Sequence, residues 1–249
     1  MPDRHRPRLY VGFSLTLGGA GDLEPGQAHY LRSVLRLGVG APVAAFNEVD
    51  GEWRCRITEM GKSHVRLRVE EQSRSPEPEA DLWLLFAPIK RARLDWLVEK
   101  ATELGVSALR PVWSARTQVE RLNLERLQAH AIEAAEQSER LSVPKVHVPE
   151  GLDKILASWP ADRQLILCDE TGSGEPLGDA ATRLAPGPAA LLIGPEGGFD
   201  QRELDAMSKL SFVSRVGLGP RVLRAETAAL AGLAVFQAIA GDWCRIRTR

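Results

Sequence analysis

Cysteine is scarce in this 249-residue chain: Cys55, Cys168 and Cys244 are its three cysteines. They are odd in number, far apart and in no CxxC pair. That speaks against a disulfide framework and a zinc site, and it fits a reducing compartment. No charge of one sign dominates either, since 32 basic and 33 acidic residues leave a net charge of -1. A uniformly basic nucleic-acid binder is thereby disfavoured, and any such contact must come from a local patch. Long apolar runs are missing. The stretch Met1-Pro2-Asp3-Arg4-His5-Arg6-Pro7-Arg8 lacks the apolar centre of a signal peptide. Thr227 to Gly241, the longest run of small apolar residues, is interrupted by Gln237 and is shorter than the roughly 20 residues that span a bilayer. A cytoplasmic protein without membrane segments is expected. Nucleotide fingerprints are absent as well. The Gly61-Lys62 pair has no upstream P-loop glycine, and Gly172-Ser173-Gly174 and Gly217-Leu218-Gly219 lack the third glycine of GxGxxG. A nucleoside triphosphate or a dinucleotide is therefore a poor candidate ligand.

What the chain does have is enough apolar residue, 44%, to build a core. It also has a polar stretch, Glu71 to Glu79, with two prolines and no apolar side chain. This stretch divides the chain into residues 1–72, a linker at 73–80, and residues 81–249. Before it, Val43–Phe46, Glu52–Ile57 and His64–Val69 read as strands, the last two alternating at period two. Val49-Asp50-Gly51 supplies a hairpin turn, and a short helix is expected over His29–Leu37. After it, strands at 82–89, 108–112, 165–168, 189–193 and 213–218 alternate with helices at 91–104, 123–139, 152–159, 200–209 and 226–240. Alternation with near-continuously apolar strands predicts a parallel sheet covered by helices on both faces.

Ligands of open α/β sheets sit outside the carboxyl ends of the strands. Three segments follow such strands and form the expected pocket. The first is Cys168-Asp169-Glu170. The second is Ile193-Gly194-Pro195-Glu196-Gly197-Gly198, where glycines let a ligand approach the backbone. The third runs from Leu218 to Thr227 and contributes Leu218, Gly219, Val222, Leu223, Arg224 and Thr227. Glu196 sits inside the glycine turn with no lysine or arginine beside it, which suits a ligand with a positive centre better than a phosphate. S-adenosyl-L-methionine has ribose, adenine and such a centre. A bulky residue at Gly194 or Gly197 is expected to abolish its binding and leave the fold intact. Glu226 and Thr227 stand at the start of a helix, where the dipole favours a carboxylate. Glu226 thus has two readings, helix-start carboxylate and proton acceptor. Arg224 has two as well, partner of a carboxylate and binder of a developing anion.

The run Ile193–Gly198 followed by Leu218-Gly219-Pro220-Arg221-Val222-Leu223-Arg224-Ala225-Glu226-Thr227-Ala228 resembles the SPOUT superfamily of knotted methyltransferases. Within it, the chain is similar to the ribosomal RNA small subunit methyltransferase E type. Lys100-Ala101-Thr102-Glu103-Leu104-Gly105-Val106, Glu133-Ala134-Ala135-Glu136-Gln137-Ser138-Glu139-Arg140 and His29-Tyr30-Leu31-Arg32-Ser33-Val34-Leu35-Arg36 match further segments of that family. The resemblance covers nearly the whole chain. It implies an α/β fold with a SPOUT-type parallel sheet and a C-terminal trefoil knot, preceded by a small PUA-like β-barrel that binds RNA. It also implies N3-methylation of a uridine in 16S ribosomal RNA; Arg224, by its position beside the glycine turn, and Glu226 are the candidate catalytic residues. A homodimer is implied, and Ala228, Ala231, Gly232, Ala234 and Val235 are small residues through which another helix could approach. Two other readings stay open: methylation of another acceptor, such as a transfer-RNA ribose 2′-hydroxyl, and a non-catalytic RNA-binding module.

Phosphate contacts are expected from basic residues that flank apolar faces. The candidates are Arg8, Arg32 and Arg36 in the first domain, with Lys62, Arg66 and Arg68 beside them. In the second they are Lys90, Arg93, Lys100, Arg116 and Arg140, with Arg116 or Arg140 reaching over from a partner subunit.

Overall fold

The computed structural model describes residues 6–62 and 64–243. Residues 1–5, where the stretch read for a signal peptide begins, and Cys244 lie outside the described residues. The chain forms two compact units, Met1–Pro78 with Ala135–Val143, and Glu79–Ala134 with Pro144–Arg249.

The first unit holds β1 (Arg8–Tyr10), β2 (Ala20–Asp22), α1 (Pro25–His29) continued by a π-helical turn at Tyr30–Val34, β3 (Pro42–Asn47), β4 (Gly51–Met60) and β5 (Val65–Arg74). The sheet order is β1-β3-β4-β5-β2, with β1 parallel to β3 and the other neighbours antiparallel. Its edges β1 and β2 are not paired, so the expected barrel is a half-barrel. Alternation in β5 explains its core: Val65, Leu67 and Val69 are buried, while Arg66, Arg68 and Glu70 point outward. The predicted hairpin is present. The Asn47 side-chain oxygen accepts from the amides of Val49 (3.0 Å) and Asp50 (2.6 Å), and Gly51 takes φ +77°. The helix starts earlier than expected because Pro25 occupies its first turn, where a missing N–H costs nothing.

Two boundaries differ from the sequence reading. Glu71, Gln72 and Arg74 remain in β5, paired with Arg54, Trp53 and Glu52 of β4. Polar side chains do not stop a strand, and the prolines arrive only at 76 and 78. Residues 135–143, expected in the second domain, pack in the first unit. Arg8 donates to the carbonyl of Ala135 (2.8 Å) and to that of Arg140, and the amide of Tyr10 donates to Glu136 (3.0 Å). Ala135 and Leu141 bury against Phe46, with Tyr10 and Val143 alongside.

The second unit runs β6 (Leu82–Phe86), α2 (Arg91–Glu103), β7 (Ala108–Trp113), α3 (Leu124–Gln137, its last turn in the first unit), β8 (Lys145–Val146), β9 (Glu150–Gly151), α4 (Leu152–Ala157), β10 (Gln164–Cys168), β11 (Glu175–Pro176), α5 (Leu177–Arg183), β12 (Ala189–Ile193), α6 (Gln201–Met207), β13 (Val213–Gly217) and α7 (Ala225–Ile239). The sheet order is β11-β13-β10-β12-β6-β7-β8, with β9 beside β7, and every pairing is parallel. All five residues of β12 are buried, as a strand covered on both faces must be. Ala190 and Leu192 face α4 and α6 through Ile155, Leu204 and Met207. Leu191 faces α7, where it lies so close to Gly232 that any side chain there would meet it at 2.7 Å. Gly232, expected at a dimer interface, is therefore a packing glycine of its own subunit. The 100–106 motif ends α2 against α7: fully buried Gln237 donates to the Leu104 carbonyl (2.7 Å) and accepts from the Asp242 amide (3.0 Å).

Candidate active site

Strands β13, β10, β12 and β6 are consecutive in the sheet and in register at their carboxyl ends. Cys168 lies opposite both Ile193 and Val216, and Phe86 lies opposite Ile193. The segments that follow these strands consequently leave side by side. The glycine turn is the most constrained of them. The Gly198 amide donates to the Pro195 carbonyl (2.9 Å), and Gly198 takes φ +68°. A Cβ on Gly198 would fall 1.8 Å from Glu170 Oε1, and one on Gly194 would fall 2.9 Å from the buried Phe199 ring. Around Gly197 the nearest atoms are the flexible Arg116 side chain at 3.6 Å, and around Gly219, at φ +101°, there is open space. Gly194 thus serves packing and Gly198 supplies the left-handed turn conformation, since the end of the exposed Glu170 side chain can move aside, whereas Gly197 and Gly219 keep backbone accessible. This overturns the expectation that Gly194 is replaceable without harm to the fold.

The turn is braced from two sides. Asp200 and Glu203 form a reciprocal capping box at the start of α6 (2.8 and 2.9 Å). Glu203 also accepts from the Ala115 amide (2.8 Å), and Arg116 donates to the Gly197 carbonyl (2.7 Å). Asp169 is buried and held by Thr171, through its amide (2.9 Å) and hydroxyl (2.8 Å), and by Arg215. Burial pushes its carboxyl up, but the Thr171 amide, the Arg215 guanidinium and the Thr171 hydroxyl outweigh burial and hold it below the usual carboxylate range. Burial pushes the Cys168 thiol up to about 12, so it is no nucleophile. Arg93, in the first turn of α2, lies 3.5 Å from Glu226 and 4.0 Å from Glu196. Glu226 is 8% exposed, and its Oε2 has no hydrogen-bond partner among the described residues. Arg224 is exposed and forms no ion pair among the described residues.

An open cleft lined by Gln164, Thr182, Pro186, Pro188 and Ile239 lies at the opposite, amino end of β10 and β12. Its lining carries no charged side chain.

A family profile described as the RNA methyltransferase domain matches residues 75–237, and one described as the RNA methyltransferase PUA domain matches residues 23–70. The ribosomal RNA small subunit methyltransferase E of Rickettsia conorii is 31% identical over 229 residues, 91% of this chain and 93% of that protein. The chain belongs to the ribosomal RNA small subunit methyltransferase E family. The Synechocystis member is 31% identical over 93% of this chain and 77% of its own length. The crystal structure of the Neisseria gonorrhoeae member, bound to S-adenosyl methionine, superposes with a TM-score of 0.86 at 30% identity, covering 96% of this chain and all of that one.

In this methyltransferase the basic residues expected at RNA separate into four groups. Arg8 and Arg140 are structural in the first unit. Arg8 pairs with Glu52 (2.6 Å) over the Phe46 ring, and Arg140 is 6% exposed and donates to Ser142 (2.9 Å). Arg32 donates to the carbonyls of Gly61 (2.9 Å) and Lys62, Lys100 pairs with Glu99 and Glu103, and Arg66 pairs with Asp22. Arg93 and Arg116 engage the candidate site of their own chain, so Arg116 need not arrive from a partner. Lys90 and Arg36 are exposed without an ion pair among the described residues. Sequence reasoning missed the Arg93–Glu226 and Arg116–Gly197 contacts. No local signal carries them, since each joins residues far apart in the chain.

Proposed function

We propose that this methyltransferase transfers the methyl group of S-adenosyl-L-methionine to N3 of a uridine in 16S ribosomal RNA. The observation that carries the reading is the convergence, at adjacent strand ends, of an accessible glycine backbone, an unpaired arginine and a buried carboxylate with one open oxygen. The fit to the cofactor follows from the glycines of these segments: Gly197 and Gly219 leave backbone open to it. The backbones of Ile193–Gly198 and of Leu218, Gly219, Val222 and Leu223 would hold it, with Cys168–Glu170 as the third wall and Arg224 and Thr227 at the rim. Bound there, S-adenosyl-L-methionine supplies an electrophilic methyl group on a sulfonium.

The rest of the chemistry belongs to the chain. N3 lies on the Watson–Crick edge, so the base must be unpaired or flipped out, and its proton must leave. Arginine stays charged and cannot take it. Arg224 instead donates to the carbonyl oxygens of the uracil anion, as preorganised donors do at developing charge. Glu226 accepts the proton. The first unit holds RNA phosphates through residues such as Arg36. A trefoil knot, a cytoplasmic location and a homodimer complete the reading, with the half-buried Ala228, Ala231, Ala234 and Val235 of α7 facing the partner.

The test is mass spectrometry of 16S ribosomal RNA from cells lacking this protein, before and after incubation with it and the cofactor. N3-methyluridine is the expected product. Methyl on ribose or on another base overturns the assignment, and a monomer by light scattering overturns the dimer.

A further inference from the structure

The geometry assigns Arg93 to positioning Glu226, holding one carboxylate oxygen so that the other stays open as the proton acceptor. This rests on the N3 reading above. Arg93 was expected to meet RNA phosphate, but two carboxylates stand beside it. Its Nε is 3.5 Å from Glu226 Oε1 and its Nη1 is 4.0 Å from Glu196 Oε1. With two carboxylates beside it, the Arg93 charge is already matched within the protein, which leaves little of it for a phosphate. The two partners come from different segments, the glycine turn and the start of α7. One side chain from α2 therefore ties together two walls of the site.

Glu226 Oε2 is the atom this arrangement leaves open. It is buried in a residue 8% exposed and has no hydrogen-bond partner among the described residues. The helix start favours the negative charge there without satisfying the atom. A buried polar atom left unpaired is costly, and such atoms call for a functional account. The charged groups around Glu226 are Arg93 from α2, Glu196 from the glycine turn and, two residues earlier in the chain, Arg224. None of them is a proton acceptor placed better than Glu226 itself. Glu196 is exposed, and the arginines stay protonated. In the step assigned here the uracil N3–H bond breaks and the proton goes to Glu226 Oε2. The electron pair stays on N3 and would form the new bond to the methyl carbon as the carbon–sulfur bond breaks, its pair going to sulfur, so that S-adenosyl-L-homocysteine is the leaving group. Glu226 returns the proton to solvent once product has left.

The experiment compares the full-length enzyme with Arg93→Ala, Arg93→Lys, Glu226→Gln and the double variant Arg93→Ala/Glu226→Gln. It measures kcat and RNA KM against pH, RNA affinity against salt, and S-adenosyl-L-methionine affinity by calorimetry. Arg93→Ala is expected to lose about 10- to 100-fold in kcat, as misplaced catalytic groups do. Its RNA affinity, its salt dependence and its cofactor affinity should stay near wild type, and Arg93→Lys should recover part of kcat. Glu226→Gln should lose about 10²- to 10⁴-fold. Its residual rate should climb with pH, because hydroxide then has to remove the N3 proton. In the double variant the Arg93 loss should vanish, since the residue acts through Glu226. A salt slope lowered by about one with kcat intact would make Arg93 a phosphate contact. Additive losses in the double variant would also overturn the assignment, as would loss of cofactor affinity in Glu226→Gln. If Glu226→Gln fails to fold, the Arg93 variants still decide. Methyl on ribose in the wild-type product defeats the N3 reading itself. N3-methyluridine with undiminished Arg93→Ala turnover defeats only the role of Arg93.

Discussion

Arg163 and Glu226 are both buried charged residues of the second unit, yet they stand at opposite ends of its parallel sheet and are treated differently. Arg163, 4% exposed, precedes β10 at the amino end. It pairs with the Asp81 carboxylate and donates to the carbonyls of Ala189 (2.9 Å) and Asp81 (3.1 Å). Its guanidinium lies 3.5 Å from the centre of the Trp83 ring, which Arg110 approaches at 4.6 Å. Among the described residues the Nε atoms of both arginines lack a hydrogen-bond partner, but each guanidinium plane has the ring against it. Glu226, at the carboxyl end, has one distant arginine and an open oxygen. Closed charge at the amino end ties three strand starts together. Open charge at the carboxyl end is available for reaction.

That contrast breaks most sharply at Arg224. Arg224→Ala should lower single-turnover rates by about 10²- to 10³-fold. Stability by urea titration should stay within about 0.5 kcal/mol, and cofactor affinity within a few-fold. A variant that unfolds more easily but turns over normally would make the carboxyl end structural. Arg163→Ala should show the reverse, a loss of about 3 kcal/mol in unfolding free energy with cofactor affinity kept in the folded fraction. A smaller test lies within the glycine turn. Gly194→Ala should cost about 1–3 kcal/mol by forcing the Phe199 ring aside. Gly197→Val should melt normally and lose S-adenosyl-L-methionine binding by calorimetry. Equal behaviour of the two would erase the distinction between packing and accessible glycines.

The smallest expected effect is in acid. The Asp169 carboxyl is held below its usual value, so its contribution is complete above the unfolded value, about 3.9, and is lost as pH falls through the lower folded one. Arg215→Ala brings the folded value back toward the unfolded one. It should cost about 1 kcal/mol at neutral pH, and the gap to wild type should close as pH falls through the lowered folded value. A gap that persists in acid would place the effect of Arg215 elsewhere.

Much of this was legible along the chain. The five main strands of the second unit announce themselves as apolar runs, and β12 spans the same five residues that its composition predicts. The two pocket segments are visible because glycine and the Leu-Arg-Ala-Glu-Thr-Ala run sit directly after strands. Side-chain partners were not legible. Arg8, Arg32, Arg93, Lys100, Arg116 and Arg140 look alike in sequence, yet only folding shows which carbonyl, carboxylate or hydroxyl each one meets. Residues 135–143 were assigned to the wrong unit for the same reason: their helix is continuous with the second unit, and it is burial of Ala135 and Leu141 on Phe46 that claims them for the first.

Periodicity depends on neighbours within a few residues, so the alternation of the main strands and helices and the parallel sheet were set by the chain alone. The choice between a structural and a chemical arginine depends on atoms brought together from distant segments. Arg93 in α2 meets Glu226 of α7 because β6 and β12 are paired and α7 packs on α2. Burial then leaves one oxygen of that carboxylate without a partner, which only the tertiary structure decides.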